Sequence, residues 1–405
     1  VKEIGMIVKS LLDTDLYKLS MMQAVFHQCS GTEVEYQFKL RNKNINLAPF
    51  AAKIREEIEA LCQLEFTDDE LNYLSKLRFL KSDFIELLRI FRLKKRYVQV
   101  EDSSGDELSI RIVGPWLNTI LFEVPILAIV NEVYFASKGE TNDGNLSIGR
   151  DRLEQKIDVA LEYGEKNPWL TKNGTPFLIT DFGTRRRFSG DWQNYVVGRL
   201  KQHLPDFFIG TSNVLLAKNH ELTPIGTMAH EWLQAPQGFD GVQLGSSQRF
   251  ALQKWADEYR GDLGIALSDV VGFDAFLRDF DYYFAKLFDG CRHDSGDPAK
   301  WCRKLIEHYR SMKIDPKGKR AVFSDGLTIP KAIELHQEFK DQIGMGFGIG
   351  TNLTNDIGYE PLQIVIKLTK VNGKPVAKVS DARGKTMCED QEFLNYLKKT
   401  FKISV

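Results

Sequence analysis

Cysteine is scarce in this chain of 405 residues: Cys29, Cys62, Cys291, Cys302 and Cys388 are all there are, and no two stand in CxxC spacing. An odd number without such pairs reads as reduced thiols and excludes a disulfide framework or a cysteine zinc site. Long apolar runs are missing as well. The longest candidate, Trp116 to Val130, is interrupted by Asn118, Glu123 and Pro125, and falls short of the roughly 18 residues that cross a bilayer. Nor is there an excess of one charge: 54 basic against 55 acidic residues leave −1, which removes the whole-molecule argument for nucleic acid. No stretch fits GxxxxGK[ST], GxGxxG ahead of a helix with an acidic partner, or HExxH, so an ordinary P-loop, dinucleotide fold or zinc hydrolase is disfavoured. The opening VKEIGMIVKSLLDTD is too polar for a secretory signal. What remains, 43% hydrophobic and 27% charged, is average for a globular chain and excludes a disordered or fibrous one. The expectation is a cytoplasmic protein with neither nucleic-acid nor membrane partners.

The first third mixes helix and strand. Leu11 to Gln28 reads as a helix capped by Asp13 or Thr14, and Glu33 to Lys39 alternates as a half-buried strand does. Pro49 to Cys62 and Thr67 to Leu80 carry helical spacing, with Thr67 and Glu70 forming a capping box. Tyr97 to Val100 and Leu108 to Val113 flank a turn at 102–105 and read as a hairpin. Helical stretches at Asn118 to Ser137 and Ile148 to Tyr163 complete an α/β lobe with a helical connection. From Thr175 the pattern changes. Short apolar runs each end in a polar, glycine-rich cluster: PFLIT before DFGTRRR, FFI before GTSN, TPI before GTMAHEW, GIALS before DVVGFD, LFDG before CRHDSGD, AVF before SDGLTIP, GFGIG before TNLTND, then LQIVIKL. Special residues gathered after the strands are the signature of a (β/α) barrel, whose active site lies at the C-terminal strand ends. A doubly wound open sheet is the alternative, but it would load only the turns at its switch point. The tight spacing around Ile209 to Ile225 makes an irregular or incomplete barrel the better reading.

Those loops hold residue types suited to phosphate. Gly210-Thr211-Ser212, Gly226-Thr227 and Gly348-Ile349-Gly350-Thr351 can each offer backbone N–H groups and a hydroxyl to an oxyanion, though Gly-Thr pairs are also common turn residues. Asp181-Phe182-Gly183 leads into Arg185, Arg186 and Arg187, which cannot all face one ligand. One guanidinium can clamp a carboxylate or phosphate while Phe182 stacks on a flat ring, and at least one of the three belongs to a solvated charge run. His230, after a phosphate-type turn, is a nucleophile or base toward phosphate, or a packed histidine at a helix start. Arg292, Asp294, Ser295 and Asp297 combine a cation with carboxylates that suit Mg²⁺ or ribose hydroxyls, Asp297 ahead of Pro298 reading as a helix cap. Asp269 and Asp325 are further strand-end carboxylates that could orient a histidine, bind a sugar or cap. Lys367, Lys378 and Lys385 carry scattered charge of no specificity.

In this order, LLDTDLYKLSM, DFGTRRR, GTSN, GTMAHEW, CRHDSGD, FSDG and GIGTNLTND resemble the bacterial nicotinate phosphoribosyltransferase family, over about Leu11 to Lys385. The resemblance implies an irregular (β/α) barrel of the type II phosphoribosyltransferase kind with an N-terminal α/β lobe. It divides the chain into a lobe with helical connection at 1–140, a barrel carrying the active site at 141–370, and a segment at 371–405 returning to the lobe. It implies nicotinate, phosphoribosyl pyrophosphate and ATP as substrates, Mg²⁺ as cofactor, no tightly bound organic cofactor, and a homodimer with shared active sites. His230 matches the autophosphorylated histidine, and Asp269 the carboxylate that pairs with it and raises its basicity. Phe182 and Tyr17 match aromatics that sandwich the pyridine, Tyr17 coming from the partner subunit. Arg185, Thr227 and Arg292 match positions around nicotinate, while Asp294, Asp325, Gly350 and Thr351 match positions around ribose, pyrophosphate and magnesium, Asp294 the expected metal ligand. Asp15 and Lys18 accompany Tyr17 at the phosphoribosyl edge. Ser212 stands where related nicotinamide enzymes have Asp. A hydroxyl there can donate to nicotinate's carboxylate, so the acid is the expected substrate. A nicotinamide or quinolinate enzyme, or a catalytically silent sensor of phosphoribosyl compounds, are the rivals.

Overall fold

The structure, a computed structural model, describes residues 5–103, 107–138, 141–167, 175–379, 388 and 390–403. Two sheets organise the molecule. The lobe is built on a five-stranded antiparallel sheet in the order Lys374–Pro375, Ile364–Val371, Glu33–Leu40, Glu107–Pro115, Val98–Ser103. The predicted hairpin is the pair Val98–Ser103 and Glu107–Pro115. Its tip at 104–106, like Lys385, lies outside the described residues. The capping box of Thr67 and Glu70 is present and starts the helix Asp68–Leu74. The first helix runs Leu16–Gln28 and begins later than its pattern suggested. Asp13 is no cap, because its carboxylate is taken by Arg187 and Asn213.

The second sheet is parallel and seven-stranded, in the order Thr223–Pro224, Phe208–Thr211, Ile179–Asp181, Gly344–Ile349, Arg320–Phe323, Gly290–His293, Ile265–Leu267. Followed from Ile179–Asp181, the strands go round in chain order, as in a barrel, but the edges Thr223–Pro224 and Ile265–Leu267 do not pair. Side chains span that seam instead. The Thr227 hydroxyl donates to the Ile265 carbonyl at 2.7 Å, and Arg292 Nη1 donates to the Met228 carbonyl at 3.1 Å. The expected eighth run, LQIVIKL, is not a barrel strand. Its core, Ile364–Val371, pairs antiparallel with Glu33–Leu40, Ile366 opposite Phe38, and so closes the lobe over the open face of the barrel.

One stretch corrects the reading of apolar runs. Trp116–Ala136 is continuously helical over 21 residues and apolar enough to cross a membrane, but 78% of its most apolar window is buried inside the fold. Asn131 lies within it and donates to the carbonyls of Leu127 and Arg185, as a core helix bound to the barrel's loops would. Glu123 and Pro125 do not end the helical stretch: a 3-10 turn at Ile120–Phe122 precedes them, and both sit in the first turn of the α-helix Glu123–Ala136, where a proline costs no hydrogen bond.

Candidate active site

The C-terminal ends of the parallel strands and the strand Ile364–Val371 enclose a cavity of about 570 Å³, large enough for a nucleotide-sized ligand. Asp181 shapes its first loop. Buried at the strand end, its carboxylate accepts from the Gly183 N–H at 2.8 Å, Gln193 Nε2 at 2.8 Å and the Thr211 hydroxyl at 2.7 Å. Burial outweighs those bonds and pushes its pKa up to about 6. The Phe182 ring then packs directly against Gly348, where a Cβ would come within 2.2 Å of the ring. The three arginines diverge. Arg187 turns inward to Asp13, at 2.6 and 2.8 Å, and to Glu132 at 2.8 Å. Arg186 donates to the Ile364 carbonyl at 3.1 Å, and Arg185 points into the cavity with Nη1 3.6 Å from Glu123 Oε1.

His230 opens the helix His230–Gln234 among two carboxylates and a lysine. Its Nε2 is 3.0 Å from Asp269 Oδ1 and 3.2 Å from Asp294 Oδ2, and Lys378 Nζ is 2.7 Å from Asp269 Oδ2. Ser295 donates to Asp269 at 2.7 Å and Ser324 to Asp294 at 3.0 Å. Although burial raises Asp269, His230 and Lys378 pull its pKa well below the carboxylate range. The expected rise in the histidine's basicity is not what the site produces. Burial first, then Lys378, lower the His230 pKa, and Asp269 and Asp294 offset this only in part. The imidazole is therefore neutral at neutral pH. With Nε2 facing two carboxylates, its partners assign the proton to that nitrogen and the lone pair to Nδ1.

Asp325, Gly350 and Thr351 line the same cavity, joined by Arg186 from the barrel's first loop and by Arg41 and Lys367 from the lobe side. Burial, then Lys378 and Arg41, lower the Lys367 ammonium to about 7. The donor atoms of His230, Asp269 and Asp294 lie within 4.8 Å of one another. With Lys378 already on Asp269, the oxygen donors left to a hard cation are those of Asp294, beside Asp325 on the wall. Asp297 does what its sequence suggested, capping Pro298–Ser311 by accepting from the Lys300 N–H at 2.8 Å.

Other expected residues stand behind the wall. Ser212 gives its hydroxyl hydrogen to Asp15 Oδ1 at 2.7 Å, and Thr227 and Arg292 hold the barrel seam. Lys18 is buried between Glu123 and Glu231. Tyr17 is held within its own chain by the neighbouring backbone. Leu16 N–H bonds to the Ser212 carbonyl at 2.8 Å, Val214 N–H bonds to the Thr14 carbonyl at 2.9 Å, and the Tyr17 ring lies 5.9 Å from the Arg185 guanidinium of its own chain. The residues that sequence reasoning missed are Lys378, Glu123 and Glu231. Lys378 reaches the site because Val379 bridges to Val271 beside Asp269, a pairing with no local signal.

Residues 12–131 match the N-terminal domain of the nicotinate phosphoribosyltransferase (NAPRTase) family, and residues 177–405 match the nicotinate phosphoribosyltransferase (NAPRTase) family itself. Curated relatives named nicotinate phosphoribosyltransferase from Acidovorax sp. (strain JS42) and Bordetella petrii are each 54% identical, over 98% of this chain and 99% of theirs. A solved nicotinate phosphoribosyltransferase from Vibrio cholerae superposes with a TM-score of 0.92 at 39% identity, covering 99% of this chain and 95% of that one. One from Porphyromonas gingivalis gives 0.90 at 35%, covering 98% and 100%.

Proposed function

The chain belongs to the nicotinate phosphoribosyltransferase family, and on that premise we propose that it transfers the phosphoribosyl group from phosphoribosyl pyrophosphate to nicotinate, coupled to ATP hydrolysis through a phosphohistidine at His230. The observation that carries the coupling is the neutral imidazole with Nε2 bound by Asp269 and Asp294, which directs the Nδ1 lone pair to the reaction. Nδ1 attacks the γ-phosphorus of ATP and ADP leaves. Asp269 holds the ring and stabilises the positive charge that develops on it. Water later cleaves the N–P bond, releasing phosphate and restoring the histidine.

In the transfer step the pyridine nitrogen attacks the anomeric carbon as the bond to pyrophosphate breaks. Phe182 supports the ring on one face, and Arg185 pairs with its carboxylate. Arg41, Arg186, Lys367 and Lys378 surround the polyphosphate charge, and Gly350 and Thr351 offer backbone N–H groups and a hydroxyl to the phosphoribosyl moiety. Asp294 and Asp325 have the oxygen donors that would hold Mg²⁺, which would supply positive charge against the leaving pyrophosphate. Pyrophosphate release from nicotinate and phosphoribosyl pyrophosphate, with and without ATP, tests the reading. ATP should stimulate turnover in the wild type, and His230→Asn should abolish that stimulation. Full stimulation in the variant would exclude the phosphohistidine.

A further inference from the structure

Four charged side chains run in one line of contacts at the cavity floor, where Glu231, Glu123 and Arg185 line the cavity and Lys18 lies beneath them. Lys18, with a side chain 0% exposed, places Nζ 2.5 Å from Glu123 Oε2 and hydrogen-bonds to Glu231 Oε1. The other Glu231 oxygen accepts from the Tyr36 hydroxyl at 2.5 Å and the Trp116 indole at 3.4 Å. The other Glu123 oxygen faces Arg185 at 3.6 Å. Burial alone would lower Lys18 and raise Glu123. Their attraction wins, so Lys18 is held above its ordinary pKa and Glu123 below its own, and both stay charged.

Glu123 is therefore shared unequally. Its contact with Lys18 is short and charge-assisted, whereas 3.6 Å to Arg185 is beyond hydrogen-bond length. Arg185 keeps 46% of its side chain exposed and lines the cavity, which Lys18 does not. The acid-over-amide choice also needs a source, because Ser212 has given its only proton to Asp15 and has none to offer a substrate carboxylate.

We propose that Lys18 is a positioning residue for substrate choice: by occupying Glu123 it leaves the Arg185 guanidinium free to pair with an anionic ring substituent, and so sets the preference for a pyridine carboxylate over its amide without touching either. Without Lys18, Glu123 turns onto Arg185 and cancels the charge that the carboxylate needs. This rests on the reading above that Arg185 meets the pyridine carboxylate.

The test compares nicotinate mononucleotide with nicotinamide mononucleotide as competitive inhibitors. The two share the ribosyl phosphate and differ only at the ring substituent. In Lys18→Met the ratio of the two inhibition constants should fall about tenfold toward the amide, from an ion pair lost at a partly solvated site. A second substitution, Glu123→Gln, should restore it. A merely structural role for Lys18 would weaken both nucleotides together and show no rescue. Should Lys18→Met fail to fold, Lys18→Gln/Glu231→Gln removes one charge of each sign, leaves Glu123 alone with Arg185, and should lower the ratio likewise. An unchanged ratio in the folded Lys18 variants, with Arg185→Gln still abolishing acid preference, overturns the inference alone. An unchanged ratio in Arg185→Gln overturns the underlying reading instead.

Discussion

Lys378 Nζ sits 2.7 Å from one oxygen of Asp269, while the other oxygen lies 3.0 Å from His230 Nε2. The carboxylate thus connects a cation from the C-terminal part of the chain to the histidine of the barrel. Lys378 lowers the histidine's pKa while Asp269 raises it, and burial decides for the neutral form. Since only neutral imidazole is nucleophilic, phosphorylation from ATP should hold steady through neutral pH and fall as pH drops below the lowered pKa. In Lys378→Met the acidic limb should move to higher pH, because the repelling cation is gone and Asp269 is left to the histidine. The pH profile of single-turnover phosphorylation reads this out, and an unmoved or opposite limb contradicts it.

Lys367 titrates at about 7 for a related reason, burial together with the neighbouring Lys378 and Arg41. At pH 8 most of its amine is neutral in the free protein. A bound polyphosphate favours the charged form, so binding of phosphoribosyl pyrophosphate should take up a fraction of a proton at pH 8, and affinity should weaken as pH rises above 7. Calorimetry in two buffers of different ionisation heat measures the uptake. Lys367→Met should lose most of it.

At Gly348 the Phe182 ring leaves no room, since an added Cβ would lie 2.2 Å from ring carbon Cδ2. Gly348→Ala should therefore push the ring off its seat, raising the KM for nicotinate by about tenfold or more while melting temperature moves little. Steady-state kinetics with saturating phosphoribosyl pyrophosphate separates this from general damage, which would lower kcat as well.

Arg187 is a structural residue despite its place in the arginine run. Its guanidinium is buried against Asp13 and Glu132 and holds the N-terminal segment to the loop after Asp181. Arg187→Met strands two buried carboxylates and should cost about 3–5 kcal/mol of unfolding free energy. Chemical denaturation measures that loss, and a near-neutral change would show that the pairs contribute nothing.

Much of the fold was readable wherever one strand carries its own information. The loops after Ile179–Asp181, Gly290–His293 and Gly344–Ile349 announce themselves because backbone turns and oxyanion contacts demand Gly, Asp and Thr at fixed offsets. Ile364–Val371 deceived because a short apolar run looks alike in either sheet. Its alternation, kept through Lys367 and broken only at Thr369, was the available sign of an antiparallel strand. The apolar stretch at Trp116–Ala136 was underestimated because Glu123 and Pro125 look like breaks, yet both are compatible with a helix's first turn. Within the site, His230, Asp269 and Asp294 sit at strand ends and were legible. Glu123, Glu231 and Lys378 were not placed, and the contacts that bury Lys18 between Glu123 and Glu231 were not foreseen, because contacts between residues far apart in the chain leave no mark on local spacing.

The central claim is that His230 carries the phosphoryl group. Incubation with γ-labelled ATP, a brief quench at alkaline pH and peptide mapping test it most directly. The account requires stoichiometric, acid-labile phosphate on the Nδ1 atom of His230, absent in His230→Asn and discharged when nicotinate and phosphoribosyl pyrophosphate are added. ATP-stimulated nicotinate turnover with no label on His230, or with label on another residue, would contradict it.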